Sequence, residues 1–294
     1  MLEVEGLSKA IDGAALLRDI SFTLEKGTIT GLVGRNGVGK TTLLRTLVGI
    51  LLPDAGDVRY ERQSIYTQPQ VKTNLFFVPD SKPLFPSYSP QQLARLYKRI
   101  YPRFDEAYLW AGMTRFNLPA SRKLRHYSKG MKALFSLVLA FATRAEGILL
   151  DEPTDGLDVI IKRQWLQLMV EEVAEQRHLV LLSSHRLNEL ESICDRVLMM
   201  KEGAIAENTD MTAAKRRYKK LQVVHESELP LALVSMPGIH LLSRTGRITT
   251  LLLEGETDVL TAQIRQTQPL LIDELPLSLE DLFVAKLGGE TVVR

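Results

Sequence analysis

Gly34-Arg35-Asn36-Gly37-Val38-Gly39-Lys40-Thr41-Thr42 stands between two apolar segments of different periodicity. Before it, Thr28-Ile29-Thr30-Gly31-Leu32-Val33 reads as a buried parallel strand. After it, Leu43-Leu44-Arg45-Thr46-Leu47-Val48 carries apolar residues at helical spacing. Strand, glycine-rich loop and helix in that order form the setting of a phosphate-binding loop. The glycines let consecutive N–H groups turn inward as an anion nest, and the helix adds the positive end of its dipole. In such a loop Lys40 reaches the β and γ phosphates of a nucleotide, and the Thr41 hydroxyl ligates Mg²⁺.

The rest of the chain is read against this loop. Its 294 residues predict about two domains. A composition of 45% hydrophobic and 24% charged residues is that of an ordinary globular protein. A net charge of +2 gives no electrostatic case for nucleic acid or an anionic membrane as partner. The single cysteine, Cys194, excludes an internal disulfide, fits a reducing cytosol and reads as a small buried hydrophobe on a helix. The opening Leu2-Glu3-Val4-Glu5-Gly6-Leu7 alternates as a strand, so no signal peptide is expected. No apolar run approaches the ~18 residues that cross a bilayer. Any membrane crossing therefore falls to another chain.

In chain order, residues 2–31 read as short strands, Leu2–Leu7 and Ile20–Leu24, before the loop strand. The helix behind the loop ends near Gly49, and Pro53–Asp57 is a turn by composition. Strands Val58–Tyr60 and Leu75–Val78 follow, then a proline-rich loop from Pro79 to Tyr88. Ser89-Pro90 supplies an N-cap and a first-turn proline for a helix to about Tyr101. Further helices are predicted over 106–116 and 128–141, so residues 89–130 form a helical insertion in an α/β domain. Ile148–Leu150 and Leu179–Leu182 are buried strands. Composition shifts at the basic run Lys215–Lys220, which reads as a solvated helix face. Beyond it, strands at 221–225, 248–253 and 270–272 and helices at 258–267 and 279–287 make a small α/β domain. The predicted division is 1–212 and 213–294.

Two strand ends carry further chemistry. Ile148-Leu149-Leu150-Asp151-Glu152 ends in adjacent carboxylates, Asp151 suited to hold Mg²⁺ and Glu152 to orient or deprotonate water. Leu181-Leu182-Ser183-Ser184-His185 brings a histidine to the crevice where parallel strands converge, within reach of a terminal phosphate. His185 and Glu189 have the spacing of a metal pair, but no third ligand lies nearby.

With Tyr127-Ser128-Lys129-Gly130-Met131, these pieces resemble the ATP-binding cassette (ABC) family, whose signature is usually written LSGGQ. The resemblance covers about residues 1–210, with five motifs in the expected order. It implies an α/β P-loop NTPase fold of ABC type, with a RecA-like core, an antiparallel β subdomain and a helical subdomain over about 89–130. It implies ATP and Mg²⁺ as ligands and ATP hydrolysis as the activity. Gly34, Arg35, Asn36, Gly37, Val38, Gly39, Lys40, Thr41 and Thr42 correspond to the Walker A loop. Asp151 matches the Walker B magnesium residue, Glu152 the catalytic base, His185 the switch histidine, and Asp155 to Asp158 the D-loop. Ser128 and Gly130 at a helix start form a second anion site that would serve the nucleotide on another subunit. The expected assembly is a head-to-tail dimer of ABC subunits docked on an integral-membrane permease at the cytoplasmic face of the membrane.

Five positions, in three places, depart from the family pattern. The signature has Tyr127, Lys129 and Met131 where Leu, Gly and Gln are usual. Asp80 replaces the Gln that ligates Mg²⁺ after Val78, and remains an oxygen ligand. Ile11 lies where an adenine-stacking aromatic is usual, so phosphate contacts are expected to dominate affinity. Ser128-Lys129-Gly130-Met131 and the tail Leu277–Phe283 are similar to the ABC-2-type exporter branch. The leading expectation is the ATPase subunit of an exporter, with loop 79–88 facing the permease. The alternatives are a soluble ABC ATPase acting on ribosomes or DNA, and a non-hydrolysing nucleotide-dependent module.

Overall fold

A computed structural model describes residues 1–80, 85–226, 233 and 236–287. The chain forms two compact units: Met1–Arg186 with Met200–Ile205, and Leu187–Met199 with Ala206–Arg294. In the first unit, β1 (Leu2–Ile11) and β2 (Ala14–Leu24) are one long antiparallel hairpin, paired from Leu2↔Leu24 to Ile11↔Ala14. This replaces the short strands expected over 2–31. Asp12 and Gly13 have φ of 51° and 80°, the left-handed pair that a two-residue hairpin turn requires. After β3 (Thr28–Gly34) and α1 (Lys40–Leu47), β4 (Ala55–Tyr60) pairs antiparallel with β1. The turn expected over 53–57 is therefore shorter, because Glu5 already faces Asp57 in the sheet.

The chain continues through β5 (Gln63–Ser64), β6 (Leu75–Val78), α2 (Pro90–Ile100), α3 (Glu106–Arg115), α4 (Lys129–Ala142), β7 (Gly147–Asp151), α5 (Val159–Gln176) and β8 (Leu179–Ser183). The helix starts are set by local chemistry. Ser89 and Gln92 close a capping box on α2, and the Asp105 carboxylate caps α3 through the Tyr108 N–H at 2.8 Å. Of loop 79–88, expected to face a permease, residues 81–84 lie outside the described residues.

β3, β8, β7 and β6 are the parallel core, in registers Leu32↔Ser183, Asp151↔Ser183 and Val78↔Leu150. Every residue of β7 and β8 is buried, which explains their unbroken apolar runs. The parallel strands end together at one edge, and that edge positions the site described below.

The rim of this unit is held by charge. Glu146 receives hydrogen bonds from Lys26 at 2.5 Å, from Arg103 at 2.6 Å and from the Tyr60 hydroxyl. Burial pushes its carboxyl up, but the bonds from Lys26, Tyr60 and Arg103 outweigh that and hold it at about 2, against an ordinary 4.5. Since the folded value is the lower one, this stabilisation is complete above pH 4.5 and is lost as pH falls toward 2. Glu146→Gln should cost about 1–2 kcal/mol at neutral pH, discounted for partial exposure. In urea titrations its difference from the parent should shrink as the solution is acidified.

The second unit includes α6 (Leu187–Ile193), part of β9 (Arg196–Lys201) and most of β10 (Ala204–Asp210), then α7 (Met211–Arg217). It continues with β11 (Tyr218–Val224), β12 (Ile239–Thr245), β13 (Ile248–Glu254), α8 (Thr257–Gln266), β14 (Leu271–Leu275) and α9 (Leu279–Leu287). The sheet order is β12-β13-β11-β14 over a core of Leu221, Val223, Leu251, Leu253 and Ile264. The basic run is a helix face only as far as Arg217. From Tyr218 it is strand, with Lys219 paired to Asp258 at 3.0 Å and Lys220 to Asp281 at 2.9 Å. β12 was not expected, since Ile239–Thr245 alternates weakly and is only half-buried. Cys194 is buried just past the end of α6 rather than within it, and burial pushes its thiol well up.

Candidate functional site

Of the residues singled out in sequence, the glycine loop, Asp80, Asp151, Glu152 and His185 lie where the parallel strands end. β3 runs into Gly34–Gly39, β7 into Glu152, β8 into His185 and β6 into Asp80. Ligands of open α/β sheets bind at this carboxyl edge.

The loop has the backbone of an anion cradle. Gly39 has a φ of 110°, and a Cβ there would stand 2.7 Å from the Leu16 carbonyl oxygen. Only glycine combines that dihedral with that approach. Arg35, Asn36 and Gly37 are exposed, Val38 and Gly39 half-buried, and Lys40 is 7% exposed. Lys40 Nζ donates to the Gly34 carbonyl at 2.9 Å and lies 3.7 Å from Glu152 Oε1. The ammonium is thus drawn back over the loop, where it would meet phosphate. Thr41 and Thr42 open α1, whose first-turn N–H groups have no partner inside the helix.

The acidic pair and the histidine form a connected group. Asp151 is 1% exposed and accepts from Ser183 Oγ at 2.8 Å. Glu152 has a φ of 46°, left-handed for a residue with a side chain. Such a backbone costs about 1–2 kcal/mol and is characteristic of functional sites. Its Oε2 lies 2.8 Å from His185 Nδ1 and accepts from the His185 N–H at 3.3 Å. One carboxylate oxygen is therefore anchored on His185, and the other faces Lys40. A carboxylate fixed in this way beside a phosphate loop can accept a proton from water.

The second predicted anion site is a helix start. Ser128 caps α4, its Oγ accepting from the Met131 N–H at 3.2 Å. A Cβ on Gly130 would press on Ile161 at 3.1 Å, so close packing of α4 on α5 also calls for glycine there. Tyr127, the departure from Leu, is buried core with its hydroxyl bonded to the Pro119 carbonyl at 2.7 Å. Asp158 caps α5 through the Ile161 N–H at 3.0 Å. Asp80 is exposed and lines one open hollow with Lys129, Glu152 and Asp155.

Among the described residues, no group of three or more His, Cys, Asp or Glu side chains could hold a metal by itself. Mg²⁺ does not need one. It keeps several waters and is bound by one or two protein oxygens together with substrate phosphates. A hydroxyl on Thr41 and a buried carboxylate on Asp151 beside a phosphate loop are that kind of donor set.

Two residues at the site were not picked out individually from sequence. Ser183 joins Asp151 to the Glu152 backbone, with the Glu152 N–H donating to its Oγ at 2.9 Å. Its signal was a polar residue ending an apolar strand at the ligand edge. Asp155 lies 3.5 Å from Lys129 Nζ, 3.5 Å from Arg186 and 3.8 Å from His185 Nε2. Nothing local in sequence marks that convergence.

Residues 17–155 match the ABC transporter family profile. The chain is 40% identical over 290 residues to the ABC transporter ATP-binding protein YtrB of Bacillus subtilis, covering 99% of each. A solved structure of the ATP-binding subunit of an ABC transporter superposes with a TM-score of 0.67 at 26% identity, over 74% of this chain and 92% of that one. The dimeric structure of MJ0796, a bacterial ABC transporter cassette, superposes with a TM-score of 0.65 over 72% of this chain and 99% of that one. At 18% identity, that second likeness is one of fold.

Proposed function

The chain belongs to the ABC transporter family as an ATP-binding, ATP-hydrolysing subunit, and from that membership we propose that it drives a separate integral-membrane permease in the direction of export. The observation that carries the hydrolytic part of this reading is the Glu152 carboxylate, held by His185 at 2.8 Å and facing Lys40 at 3.7 Å. In this reading the Gly34–Thr42 amides and Lys40 bind the phosphates. Thr41, Asp151 and Asp80 would hold Mg²⁺, which when bound would supply charge neutralisation on the phosphates. Glu152 takes the proton of the attacking water, and His185 fixes that carboxylate and faces the terminal phosphate.

Ser128 and Gly130 of a second ABC subunit, with Asp158 in the adjoining loop, complete the site. The capped start of α4 supports this, because its first-turn amides make a second anion site. The MJ0796 cassette forms a dimer. Closure of two cassettes on ATP would then move the permease. No described helix is long and apolar enough to cross a membrane; in this reading the permease holds the subunit at the cytoplasmic face. The export direction rests on the likeness of the signature and the tail to the ABC-2 branch. We assign residues 1–212 to the cassette and 213–294 to an accessory domain.

The test is purification of the tagged chain from detergent-solubilised membranes. The reading predicts a stoichiometric integral-membrane partner whose reconstitution raises the ATPase rate several-fold. A chain that stays out of the membrane fraction and turns over ATP at full rate alone would contradict it.

A further inference from the structure

We propose that Ser183 is a positioning residue for ATP hydrolysis, holding both Asp151 and Glu152 through a single hydroxyl. The inference rests on the roles given above to Asp151 and Glu152. Ser183 is fully buried at the end of β8, opposite Asp151 of β7 on one side and Leu32 of β3 on the other. The next residue is pinned as well, the Ser184 N–H donating to the Leu32 carbonyl at 3.2 Å. The hydroxyl therefore sits on a part of the sheet that is paired on both sides.

A serine hydroxyl has one proton to give. It donates that proton to Asp151 Oδ1 at 2.8 Å, and its lone pair accepts the Glu152 N–H at 2.9 Å. The first bond fixes the Asp151 carboxylate and leaves Oδ2 free of the serine proton, as the oxygen for a divalent cation. The second bond takes the N–H of a residue that has already left the strand with a φ of 46°. A backbone held in that region persists only when its surroundings over-determine it. Without the hydroxyl, the Glu152 amide loses this partner and the left-handed turn loses one of its ties. The Glu152 carboxylate, whose place beside His185 and Lys40 depends on that turn, would then drift.

Ser183→Ala tests this with three readouts: thermal unfolding, steady-state ATPase kinetics, and Mn²⁺ binding followed by EPR with a non-hydrolysable ATP analogue. In the folded variant, kcat and Mn²⁺ affinity should each fall about 10- to 100-fold, as for other supports of metal ligands. KM for ATP should stay within about threefold, because the loss falls on chemistry rather than on substrate binding. Ser183→Thr keeps the hydroxyl and should recover both quantities to within about fivefold of the parent. A folded Ser183→Ala with kcat and Mn²⁺ affinity within about twofold of the parent would overturn the proposal. So would a loss of kcat with unmoved Mn²⁺ affinity that Thr does not restore. Parent protein that binds no Mn²⁺ with nucleotide would instead contradict the magnesium reading of Asp151, and the proposal with it.

Discussion

Glu152→Gln should lower steady-state ATP turnover by about 10²- to 10⁴-fold while ATP remains bound. Glutamine has the size of glutamate and keeps an oxygen that can accept from the His185 N–H, now 3.3 Å from Oε2. It cannot take a proton from water at neutral pH. The left-handed backbone and its bond to Ser183 do not depend on the side-chain charge, so the geometry should survive. Loss of the negative charge 3.7 Å from Lys40 leaves the ammonium freer for phosphate, so ATP affinity should hold or rise. Turnover within about tenfold of the parent would remove Glu152 from the proton-accepting role. The measurement is phosphate release under saturating ATP, with affinity read separately by calorimetry.

Lys40→Ala should abolish useful nucleotide binding, with ATP affinity falling at least about 100-fold. Hydrogen bonds from a charged donor contribute about 1.5–3 kcal/mol each, and two to phosphate exceed two decades in affinity. Lys40 is 7% exposed, whereas Arg35 in the same loop is exposed. The ammonium would therefore meet phosphate in a partly dry setting, where its charge is poorly screened. The substitution also leaves the Gly34 carbonyl and Glu152 Oε1 without their cation. Equilibrium dialysis in chelator isolates the phosphate contribution from any metal bridge. An affinity within about threefold of the parent would sink the loop assignment.

The parts legible in sequence were those that local chemistry determines. The glycine loop Gly34–Gly39 was legible because Gly39 needs a conformation that only glycine takes easily, and because a buried strand and an amphipathic helix flank it. Ser89, Ser128 and the long apolar α4 gave helix starts to within a residue or so, since caps and periodicity are short-range signals. The end of β7 at Asp151, and that of β8 at Ser183 two residues before His185, were readable for the same reason.

What was missed depended on distant parts of the chain. The hairpin β1–β2 turns on Asp12-Gly13, a two-residue signal that does not show how far the paired strands extend on either side. The basic run changes from helix to strand at Tyr218 because Lys219 and Lys220 find acidic partners in α8 and α9. Those partners are remote in sequence, so composition alone favours a solvated helix. Ser183 as a shared support, and Asp155 as a meeting point for Lys129, Arg186 and His185, exist only once strands and loops are folded together. Asp158 and Gly130 carry structural duties, a cap and a close helix contact, beside the roles proposed for them.

The central claim is that each nucleotide site is shared by two cassettes, with the loop Gly34–Thr42 of one chain and Ser128 and Gly130 of another closing on the same ATP. The solution mass of Glu152→Gln, measured by light scattering with and without ATP, tests it most directly. The account predicts a shift from the 33.1 kDa monomer to twice that mass when ATP is added, persisting because the bound nucleotide is not hydrolysed. A mass that stays at 33.1 kDa under saturating ATP would contradict it.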